Sequence, residues 1–470
     1  MDKNRGKKGV SAVGEIAGVI LAAGLGKRMR SKYPKVLHPV GGKPMLQHVL
    51  EAAEKAGVND ILVVLGHGRD MVLDEFEDIS YVVQEQQLGT GHALYQCRDA
   101  LKPSVEHVLV LCGDAPLIKP ETLKKLIDYH VENKSYATVL TAEIPNPEGY
   151  GRIIRDDAGN VRGIVEHRDA SPKELEIKEV NSGTYVFSRR ELFEALEKID
   201  TQNAQGEYYL TDVIGIFFDE GKKVSALMTE DPTEIMGIND RIQLAEADRI
   251  MRLRKNEELM LSGVTILDPE TTKIDSGVVI APDTVIYPFT IIEGNTEIGE
   301  DCRIGPFTTI VDCVVGRDTV IRNSVVLESR IGSHCKVGPF AHIRPETVLK
   351  DYVKVGDFVE IKKSKIGEGS KVPHLSYVGD AEIEENVNIG AGTITCNYDG
   401  ERKWKTFIDE GAFIGSNTSL VAPVKIGKRA FVAAGSTITR DVPKEALAIA
   451  REKQKNIEGW VRKKKKKDDD

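Results

Sequence analysis

A chain of 470 residues exceeds one ordinary hydrophobic core, so its length indicates two or three domains. With 41% hydrophobic and 29% charged residues it has the composition of a soluble globular protein, and no apolar run approaches the roughly 20 residues that span a bilayer. The net charge of −9, without aromatic residues interleaved among basic ones, gives little support to nucleic-acid binding.

The N-terminus superficially resembles a signal peptide, because the basic stretch Lys3–Lys8 precedes an apolar run. Glu15 interrupts that run, so 18–24 is better interpreted as a buried strand that leads into a loop. Six cysteines without C-x-x-C spacing favour reduced thiols, and we expect a cytoplasmic protein. At the other end, the basic run Arg462–Lys467 before three Asp predicts a solvated, disordered tail.

The first half alternates strand-like and helix-like segments. Apolar runs rich in β-branched residues predict strands at 18–23, 60–66, 107–113 and 137–144, and helical spacing predicts a helix over 45–57. This alternation is typical of a Rossmann-like α/β domain with a mainly parallel sheet. In such sheets ligands bind beyond the carboxyl ends of the strands.

The second half has a different pattern. A charged, glycine-free segment from Asn239 to Leu261 predicts one long connecting helix. Between Ile280 and Ile438, aliphatic residues then recur every six positions in several successive runs, often followed by glycine, which predicts a parallel β-helix. The longest break in this repeat is the polar stretch 395–406, and loops on a solenoid commonly mark its binding face.

These boundaries define five expected segments. They are a flexible N-terminal extension (1–15), an α/β domain (16–238), a helical linker (239–262), a β-helix domain (263–440) and a C-terminal tail (441–470).

A glycine-rich loop, LAAGLGKRMRSKYPK, follows the first predicted strand. Gly24 and Gly26 let backbone N–H groups approach phosphate oxygens, while Arg28 and Lys35 supply compensating charge. The Walker A pattern is absent, and Met29 occupies the third glycine position of the dinucleotide fingerprint. The loop resembles the signature of sugar-1-phosphate nucleotidylyltransferases.

Together with the hexapeptide half, the chain resembles the bifunctional N-acetylglucosamine-1-phosphate uridyltransferase/glucosamine-1-phosphate acetyltransferase family over about residues 16–460. The resemblance implies attack by N-acetylglucosamine-1-phosphate on the α-phosphorus of UTP, with Mg²⁺ bound by Asp114 and Asn239. It assigns the uracil edge to the Gln84 amide and phosphate oxygens to Lys35. The full set implied to bind UTP or the sugar nucleotide is Leu21, Ala22, Ala23, Gly24, Lys35, Gln84, Gly89, Thr90, Gly151, Glu166, Asn181 and Asn239.

For the repeat half, the resemblance implies a left-handed β-helix, a homotrimer with clefts between neighbouring chains, and acetyl transfer from acetyl-CoA to glucosamine-1-phosphate. His374, in KVPHLSYVGD, would take the proton of the attacking 2-amino group, because an unperturbed imidazole pKa of about 6.5 suits a base at neutral pH. A backbone N–H near Ala391 would stabilise the developing oxyanion. The implied glucosamine-phosphate ligands are Arg344, Lys362, Tyr377 and Asn388, and the implied acetyl-CoA contacts are Ala391, Asn397, Tyr398, Ser416, Ala434 and Arg451.

Two positions depart from the usual pattern of the family. Cys112 stands where an aromatic residue is usual, so any contact made by that ring is lost or replaced. Val372 and Pro373 replace a pair of small residues before His374. Because proline fixes its own φ and restricts the preceding residue, we expect it to stiffen the approach of the histidine without removing it.

Taken singly, these residues have ordinary explanations, such as a turn residue for Asp114, a helix N-cap for Asn239 and an exposed side chain for His374. Their occurrence together favours a two-site enzyme, whose product UDP-N-acetylglucosamine feeds bacterial cell-envelope synthesis in this family. Two alternatives remain: a nucleotidylyltransferase whose β-helix only forms the trimer, and a regulatory nucleotide-sugar-binding subunit. A serine nucleophile at Ser376 or Ser416 has little support, because no G-x-S-x-G elbow is present.

Overall fold

The computed structural model describes residues 14–465 and divides into two compact units, which meet in sequence between Met251 and Arg252. Nearly all of the predicted N-terminal extension, and residues 466–470 of the predicted tail, lie outside the described residues. The division falls within a helix, Arg241–Leu261, which occupies the segment predicted to connect the two halves.

Unit 1, up to Met251, is an α/β domain. Its strands are β1 Ile16–Leu21, β2 Pro39–Val40, β3 Lys43–Pro44, β4 Ile61–Leu65, β5 Tyr81–Val83, β6 His107–Cys112, β7 Ala137–Glu143, β8 Arg152–Arg155, β9 Val161–Val165, β10 Glu179–Ser188 and β11 Val224–Met228. Its helices are α1 Met45–Lys55, α2 Arg69–Glu75, α3 Thr90–Tyr95, α4 Pro120–Asn133, α5 Pro172–Leu175, α6 Arg189–Leu196, α7 Asp212–Asp219 and the first part of α8 Arg241–Leu261. Short 3-10 turns span Lys27–Met29, Lys35–Leu37 and Pro232–Ile235.

The main sheet of unit 1 has the strand order β11-β7-β10-β6-β1-β4-β5, with β8 and β9 attached beside β10. Strands β6, β1, β4 and β5 run parallel to one another, as do β11 and β7, whereas β10 is antiparallel to its neighbours. Separate apolar cores cover the two faces, as the alternation along β1 illustrates: Val19 packs into one core and Ile20 into the other. The predicted mainly parallel sheet is therefore confirmed, with one antiparallel strand in its middle.

Unit 2 consists of short strands wound into coils. They are β12 Thr265–Ile266, β13 Lys273–Ile274, β14 Val279–Ile280, β15 Val285–Ile286, β16 Ile291–Glu293, β17 Glu297–Ile298, β18 Arg303–Ile304, β19 Thr309–Val311, β20 Val314–Val315, β21 Val320–Ile321, β22 Val325–Leu327, β23 Arg330–Ile331, β24 Lys336–Val337, β25 His342–Ile343, β26 Val348–Leu349, β27 Lys354–Asp357, β28 Glu360–Lys362, β29 Lys365–Ile366, β30 Lys371–His374, β31 Tyr377–Gly379, β32 Ala381–Ile383, β33 Asn388–Ile389, β34 Ile394–Cys396, β35 Thr406–Ile408, β36 Phe413–Ile414, β37 Ser419–Val421, β38 Val424–Ile426, β39 Phe431–Val432, β40 Thr437–Ile438 and β41 Leu447–Ala448.

From β12 to β40, every third strand belongs to the same sheet, so the coils form a prism with three parallel faces, and β41 joins the first face after β39. The first face runs from β12 through β15 and on to β41, the second from β13 to β40, and the third from β14 to β38. We call the bends after the first, second and third faces the first, second and third corners. The aliphatic residues of the six-residue repeat point inward and form one continuous buried core. The predicted fold class, a Rossmann-like domain followed by a left-handed parallel β-helix, is confirmed.

Two segments of unit 2 depart from the regular coil. The break in the repeat forms a loop between β34 and β35, in which Tyr398 and Lys403 pair as an antiparallel bridge. Near the end of the chain, the short helix α9, Trp460–Lys465, lies where the sequence predicted a disordered tail. Within residues 14–465, no helix combines the length and apolar character needed to cross a membrane.

Candidate active sites

The first candidate site is a cavity of about 430 Å³ in unit 1, beyond the carboxyl ends of β1, β5 and β6. The sheet places it there because neighbouring parallel strands end at the same edge, and the loops that follow them converge. Its lining includes these residues named from sequence: Leu21, Ala22, Ala23, Gly24, Lys35, Gln84, Gly89, Thr90, Cys112 and Asp114.

The glycine-rich loop gives this cavity an open backbone wall. A side chain at Gly24 would meet open space, whereas Gly26 has a φ of 57° and its Cβ would lie 3.0 Å from the Cβ of Lys35. The left-handed conformation at Gly26 therefore brings the loop against the turn that carries Lys35. Lys27 lines the cavity, and Arg28, the residue named from sequence, does not appear in its wall.

Lys35 lies between two oxygen-bearing side chains from distant parts of the chain. Its ammonium group forms an ion pair with Asp114 Oδ2 and donates to Asn239 Oδ1 at 3.1 Å. These two oxygens therefore converge on one cationic group. A carboxylate and an amide oxygen are hard ligands, and so few protein ligands suit a cation that keeps waters and phosphate oxygens. Within the described part of the chain, no cluster of three or more His, Cys, Asp or Glu could hold a metal.

Gly151, Glu166 and Asn181 form a polar group beside the cavity. A Cβ at Gly151 would lie 3.6 Å from both Asn181 Cβ and Glu166 Cδ, so the absence of a side chain keeps the space between them open. Burial raises the pKa of Glu166, and the Thr211 hydroxyl, which donates to it at 3.2 Å, opposes that shift. Asn181 donates to the Tyr185 hydroxyl at 2.7 Å and is thereby held in place. A ligand with hydroxyl groups would find both acceptors and donors here.

Cys112 connects the cavity with this polar group. It lines the cavity, and its thiol donates to the Gly183 carbonyl at 3.5 Å. A Cβ at Gly183 would lie 2.8 Å from Cys112 Sγ, so these two residues fit closely together. Burial, with a smaller contribution from Asp114, raises the pKa of Cys112 to about 12. The thiol therefore stays protonated and acts as a small wall residue in this structure.

Sequence reasoning missed three polar residues of the cavity wall. They are Lys27, Gln87 and Glu207. Lys27 belongs to the glycine-rich loop and could have been inferred from it, whereas Glu207 reaches the cavity through the packing of a distant segment.

The second candidate site lies on unit 2, around the first corner. His374 ends β30 with a side chain that is 56% exposed, so the imidazole points away from the core, as the sequence predicted. Its Nδ1 lies 2.5 Å from Asp357 Oδ1, which leaves Nε2 as the nitrogen available to a ligand. Pro373 lies within the same strand and does not displace the histidine from the surface.

A cluster of cations lies on the second face, one corner beyond His374. Lys403 lies beside Lys362, and this contact, followed by the charge of Arg344, lowers the pKa of Lys362. Arg344 is also paired with Glu360 at 2.6 Å. Cations that crowd together in this way favour an anion between them. Sequence reasoning named Arg344 and Lys362 but missed Lys403, which the 395–406 loop carries back to the coil.

Tyr377 and Asn397 meet above the backbone of Gly379. A Cβ at Gly379 would lie 2.9 Å from Asn397 Nδ2 and still closer to the Tyr377 hydroxyl, so only glycine leaves room for both. Asn397 donates to Asp380 Oδ2 at 2.5 Å, which anchors the start of the loop. Tyr398, in contrast, projects outward and is 61% exposed.

The remaining residues expected to bind acetyl-CoA follow the first corner through the coils beyond His374. Asn417 N donates to the Ala391 carbonyl at 2.7 Å, and Gly435 N donates to the Ser416 carbonyl at 2.8 Å, so these coils stack directly. Arg451 donates to the Ala434 carbonyl at 2.9 Å and extends the same column.

Asn388 is not brought to the other predicted sugar ligands. It begins β33 on the first face, where its Cα partner is Lys371. Arg344, Lys362 and Tyr377 follow the second face instead. Within one chain, a corner of the prism therefore separates Asn388 from these three residues.

Comparison with known proteins gives matches along both units. The Nucleotidyl transferase family matches residues 17–233, the GMPPB C-terminal domain 266–377, and the Bacterial transferase hexapeptide (six repeats) 405–440.

Curated relatives match almost the whole chain. "Bifunctional protein GlmU" of Heliobacterium modesticaldum is 56% identical over 449 residues, which cover 95% of this chain and 98% of that protein. The protein of the same name from Caldanaerobacter subterraneus subsp. tengcongensis is 56% identical over 454 residues, covering 96% and 99%. That of Syntrophomonas wolfei is 52% identical over 445 residues, covering 94% and 99%. A solved UDP-glucose pyrophosphorylase complexed with UDP-glucose is 20% identical, covers 50% of this chain and 98% of its own, and has a TM-score of 0.42.

Proposed function

The chain belongs to the family of the bifunctional GlmU proteins, and from that premise we propose that it is a two-site enzyme that makes UDP-N-acetylglucosamine. Unit 2 would transfer the acetyl group of acetyl-CoA to glucosamine-1-phosphate. Unit 1 would then transfer the uridylyl group of UTP to N-acetylglucosamine-1-phosphate and release pyrophosphate. The observation that carries the proposal is the presence on one chain of two separate sites, each with charges suited to a phosphorylated substrate.

In unit 1, a phosphate oxygen of the sugar would attack the α-phosphorus of UTP in line with the departing pyrophosphate. The backbone of Leu21–Gly24 and the side chain of Gln84 would hold the nucleotide, and Lys35 would neutralise phosphate charge. Asp114 and Asn239 would hold Mg²⁺, which when bound supplies further positive charge to the phosphates. No protein nucleophile takes part, so this chain contributes alignment and electrostatics.

The sugar of this first reaction would lie against Gly151, Glu166 and Asn181. Their mutual proximity and the open space at Gly151 support this assignment. Cys112 lies between this group and the cavity, so we infer that the small thiol leaves room where a ring would make contact.

In unit 2, the amino nitrogen of glucosamine-1-phosphate would attack the thioester carbon of acetyl-CoA while His374 Nε2 takes a proton from that amino group. The C–S bond then breaks, and the departing thiolate takes up a proton. Arg344, Lys362 and Lys403 would bind the sugar phosphate, with the arginine able to contact two oxygens at once. No acceptor within residues 14–465 takes the Ala391 N–H, which supports its role toward the developing oxyanion.

We propose that the working assembly is a homotrimer. Asn388 lies one corner away from the other sugar ligands, so a second copy would be needed to bring it to them. The first corner also exposes a row of apolar side chains, with Phe289 stacked on Phe307 at 5.1 Å and Phe340 stacked on Phe358 at 5.3 Å. Exposed apolar rows of this kind mark interfaces, and a neighbouring chain would cover this one.

The domain limits and location follow from the same proposal. Residues 16–238 would form the uridylyltransferase, 239–262 the linker and 263–440 the acetyltransferase. The reaction would take place in the cytoplasm, where UTP and acetyl-CoA are supplied, and the six cysteines are free thiols, as expected there.

The decisive experiment assays the two half-reactions separately on the purified full-length chain. One assay supplies glucosamine-1-phosphate and acetyl-CoA and measures free thiol; the other supplies N-acetylglucosamine-1-phosphate, UTP and Mg²⁺ and measures pyrophosphate. Both activities are expected. Uridylyl transfer without acetyl transfer would favour a nucleotidylyltransferase with a purely structural β-helix, and binding of UTP without either reaction would favour a regulatory subunit.

A further inference from the structure

On the first face, the strand that carries His374 and the strand of the preceding coil are longer than the others. Nine strands of the first face contain two residues each, whereas β27 and β30 contain four. Their extra length continues the pairing as far as the first corner, where Asp357 and His374 become direct Cα partners. The histidine therefore has a carboxylate fixed beside it on the preceding coil.

Close packing of the two backbones allows this pairing. A Cβ at Gly356 would overlap the carbonyl of Pro373, so the coils approach here in a way that only glycine permits. Pro373 precedes His374 and holds its own φ within a narrow range. Together they bring the side chains of Asp357 and His374 into reach of each other.

The contact itself is short and specific. Asp357 Oδ1 lies 2.5 Å from His374 Nδ1, and the histidine is the first cause of the lowered pKa of Asp357. Because more than half of the imidazole is exposed, core packing cannot fix the ring, and this hydrogen bond is its principal restraint.

The neighbouring charged groups do not replace this contact. Lys354 and Lys371 begin the same two strands, and they bring positive charge to the first face. On the second face, Glu360 is paired with Arg344, and Tyr377 is the Cα partner of Glu360.

We propose that Asp357 is a positioning residue for acetyl transfer: it holds the His374 ring with the proton on Nδ1 and Nε2 directed at the substrate. A carboxylate at Nδ1 selects the tautomer whose other nitrogen can accept a proton, and it stabilises the imidazolium that forms when the amine is deprotonated. This inference rests on the proposed acetyl transfer and on His374 as its base.

A second histidine–aspartate pair in unit 2 serves as a control for the Asp357–His374 contact. On the third corner, His334 Nδ1 lies 2.8 Å from Asp318 Oδ2 in the same kind of contact between neighbouring coils. That pair lies away from the first corner and from the cation cluster, so it measures what such a contact contributes to stability alone.

The test compares Asp357→Ala, Asp357→Asn and Asp318→Ala in the full-length protein. For Asp357→Ala we expect kcat of acetyl transfer to fall about 10- to 100-fold, by analogy with partners that orient metal-binding histidines, with KM for both substrates and uridylyl transfer unchanged. Asp357→Asn keeps an acceptor for Nδ1–H but not the charge. We expect it to recover part of kcat, with the acidic limb of the pH–rate profile shifted to lower pH by up to about one unit. Asp318→Ala should leave both activities and both profiles unchanged.

Three results would overturn the inference: Asp357→Ala within twofold of the native kcat, a loss confined to KM, or an equal loss in Asp318→Ala. Thermal melting of each variant shows whether the coil is intact. If Asp357→Ala has a lowered melting temperature, Asp357→Asn is the variant to compare with the native protein. If Asp357 had only a structural role, Asp357→Asn would have the native kcat and the native pH–rate profile. His374→Ala separates the base from its positioning residue: if His374→Ala lacks acetyl transfer while Asp357→Ala retains it, the proposed function stands and the positioning role of Asp357 is wrong.

Discussion

Acidification is expected to destabilise unit 1 through His130, a fully buried histidine on α4. Its Nδ1 contacts the Thr138 hydroxyl at 2.9 Å, and its Nε2 has no hydrogen-bond partner among residues 14–465. The ring of His107 lies 5.0 Å away, edge to face. Burial, with a smaller contribution from His107, lowers the pKa of His130 to about 3. The folded unit therefore keeps this imidazole neutral, although the unfolded chain protonates it readily.

The sign and size of the effect follow from this difference. Below about pH 6.5 the unfolded state takes up a proton at His130, whereas the folded state does so only near pH 3, so stability falls as the pH falls through this range. A pH of about 5 is about 1.5 units below the pKa of the imidazole in the unfolded chain. Protonation of the unfolded chain then lowers the free energy of unfolding by about 2 kcal/mol. His107, whose pKa burial also lowers, adds a loss in the same direction.

Urea unfolding at about pH 7.5 and about pH 5 measures this loss. Far-ultraviolet circular dichroism mainly follows unit 1, because α1 to α7 all belong to it. The acid-induced loss of unfolding free energy should be about 2 kcal/mol smaller in His130→Gln than in the native chain. His67→Gln, which removes an exposed histidine of the same unit, should leave the loss unchanged. If native protein and His130→Gln lose equal stability, His130 does not remain neutral in the folded state and the reasoning is wrong.

The other predictions concern the two sites. His374→Ala should lower acetyl transfer by about two to four decades, the usual share of a general base, and spare uridylyl transfer; a parallel loss of both activities without unfolding would show that the sites are not independent. Asp114→Ala should do the reverse, because it removes one of the two oxygens that converge beside Lys35, and undiminished UTP turnover would exclude it as a metal ligand. Lys403→Gln should raise KM for glucosamine-1-phosphate about tenfold, the order expected for one charged hydrogen bond, whereas Lys425→Gln on the third face should not; an unchanged KM would remove Lys403 from the phosphate site.

The regular parts of both folds were predictable because their pattern is local. A six-residue spacing determines which aliphatic side chains point inward, and the buried core of unit 2 follows that spacing in successive runs between Ile280 and Ile438, with a few steps of five residues between them. Four strands of unit 1, β1, β4, β6 and β7, were predicted within about two residues of their ends, which is where hydrophobic patterns are least informative. The left-handed winding of the β-helix was predicted from the resemblance to a known family, because the six-residue spacing does not determine the handedness.

Contacts between distant segments were harder to predict. The meeting of Lys35 with Asn239 depends on how a turn after β1 faces the start of α8, which no local pattern encodes. Lys403 was missed because its position depends on the fold of the 395–406 loop, whose polar sequence predicts only a turn. Asp357 was missed because its importance comes from stacking on His374, a neighbour in space that is one coil away in sequence.

The six-residue spacing also determines where this half of the chain can change length. A bend can take up a change in length, as between Ile310 and Val315, which are five residues apart and still in register with the preceding coil. Deleting a single residue within a strand would instead turn the next inward side chain toward water. The loop between β34 and β35 avoids this, because it leaves the prism after Cys396 and returns at Thr406 with the next strand still in register. New recognition elements can thus be inserted at a bend and carry side chains such as Lys403 toward a ligand, while the histidine one coil earlier keeps its place.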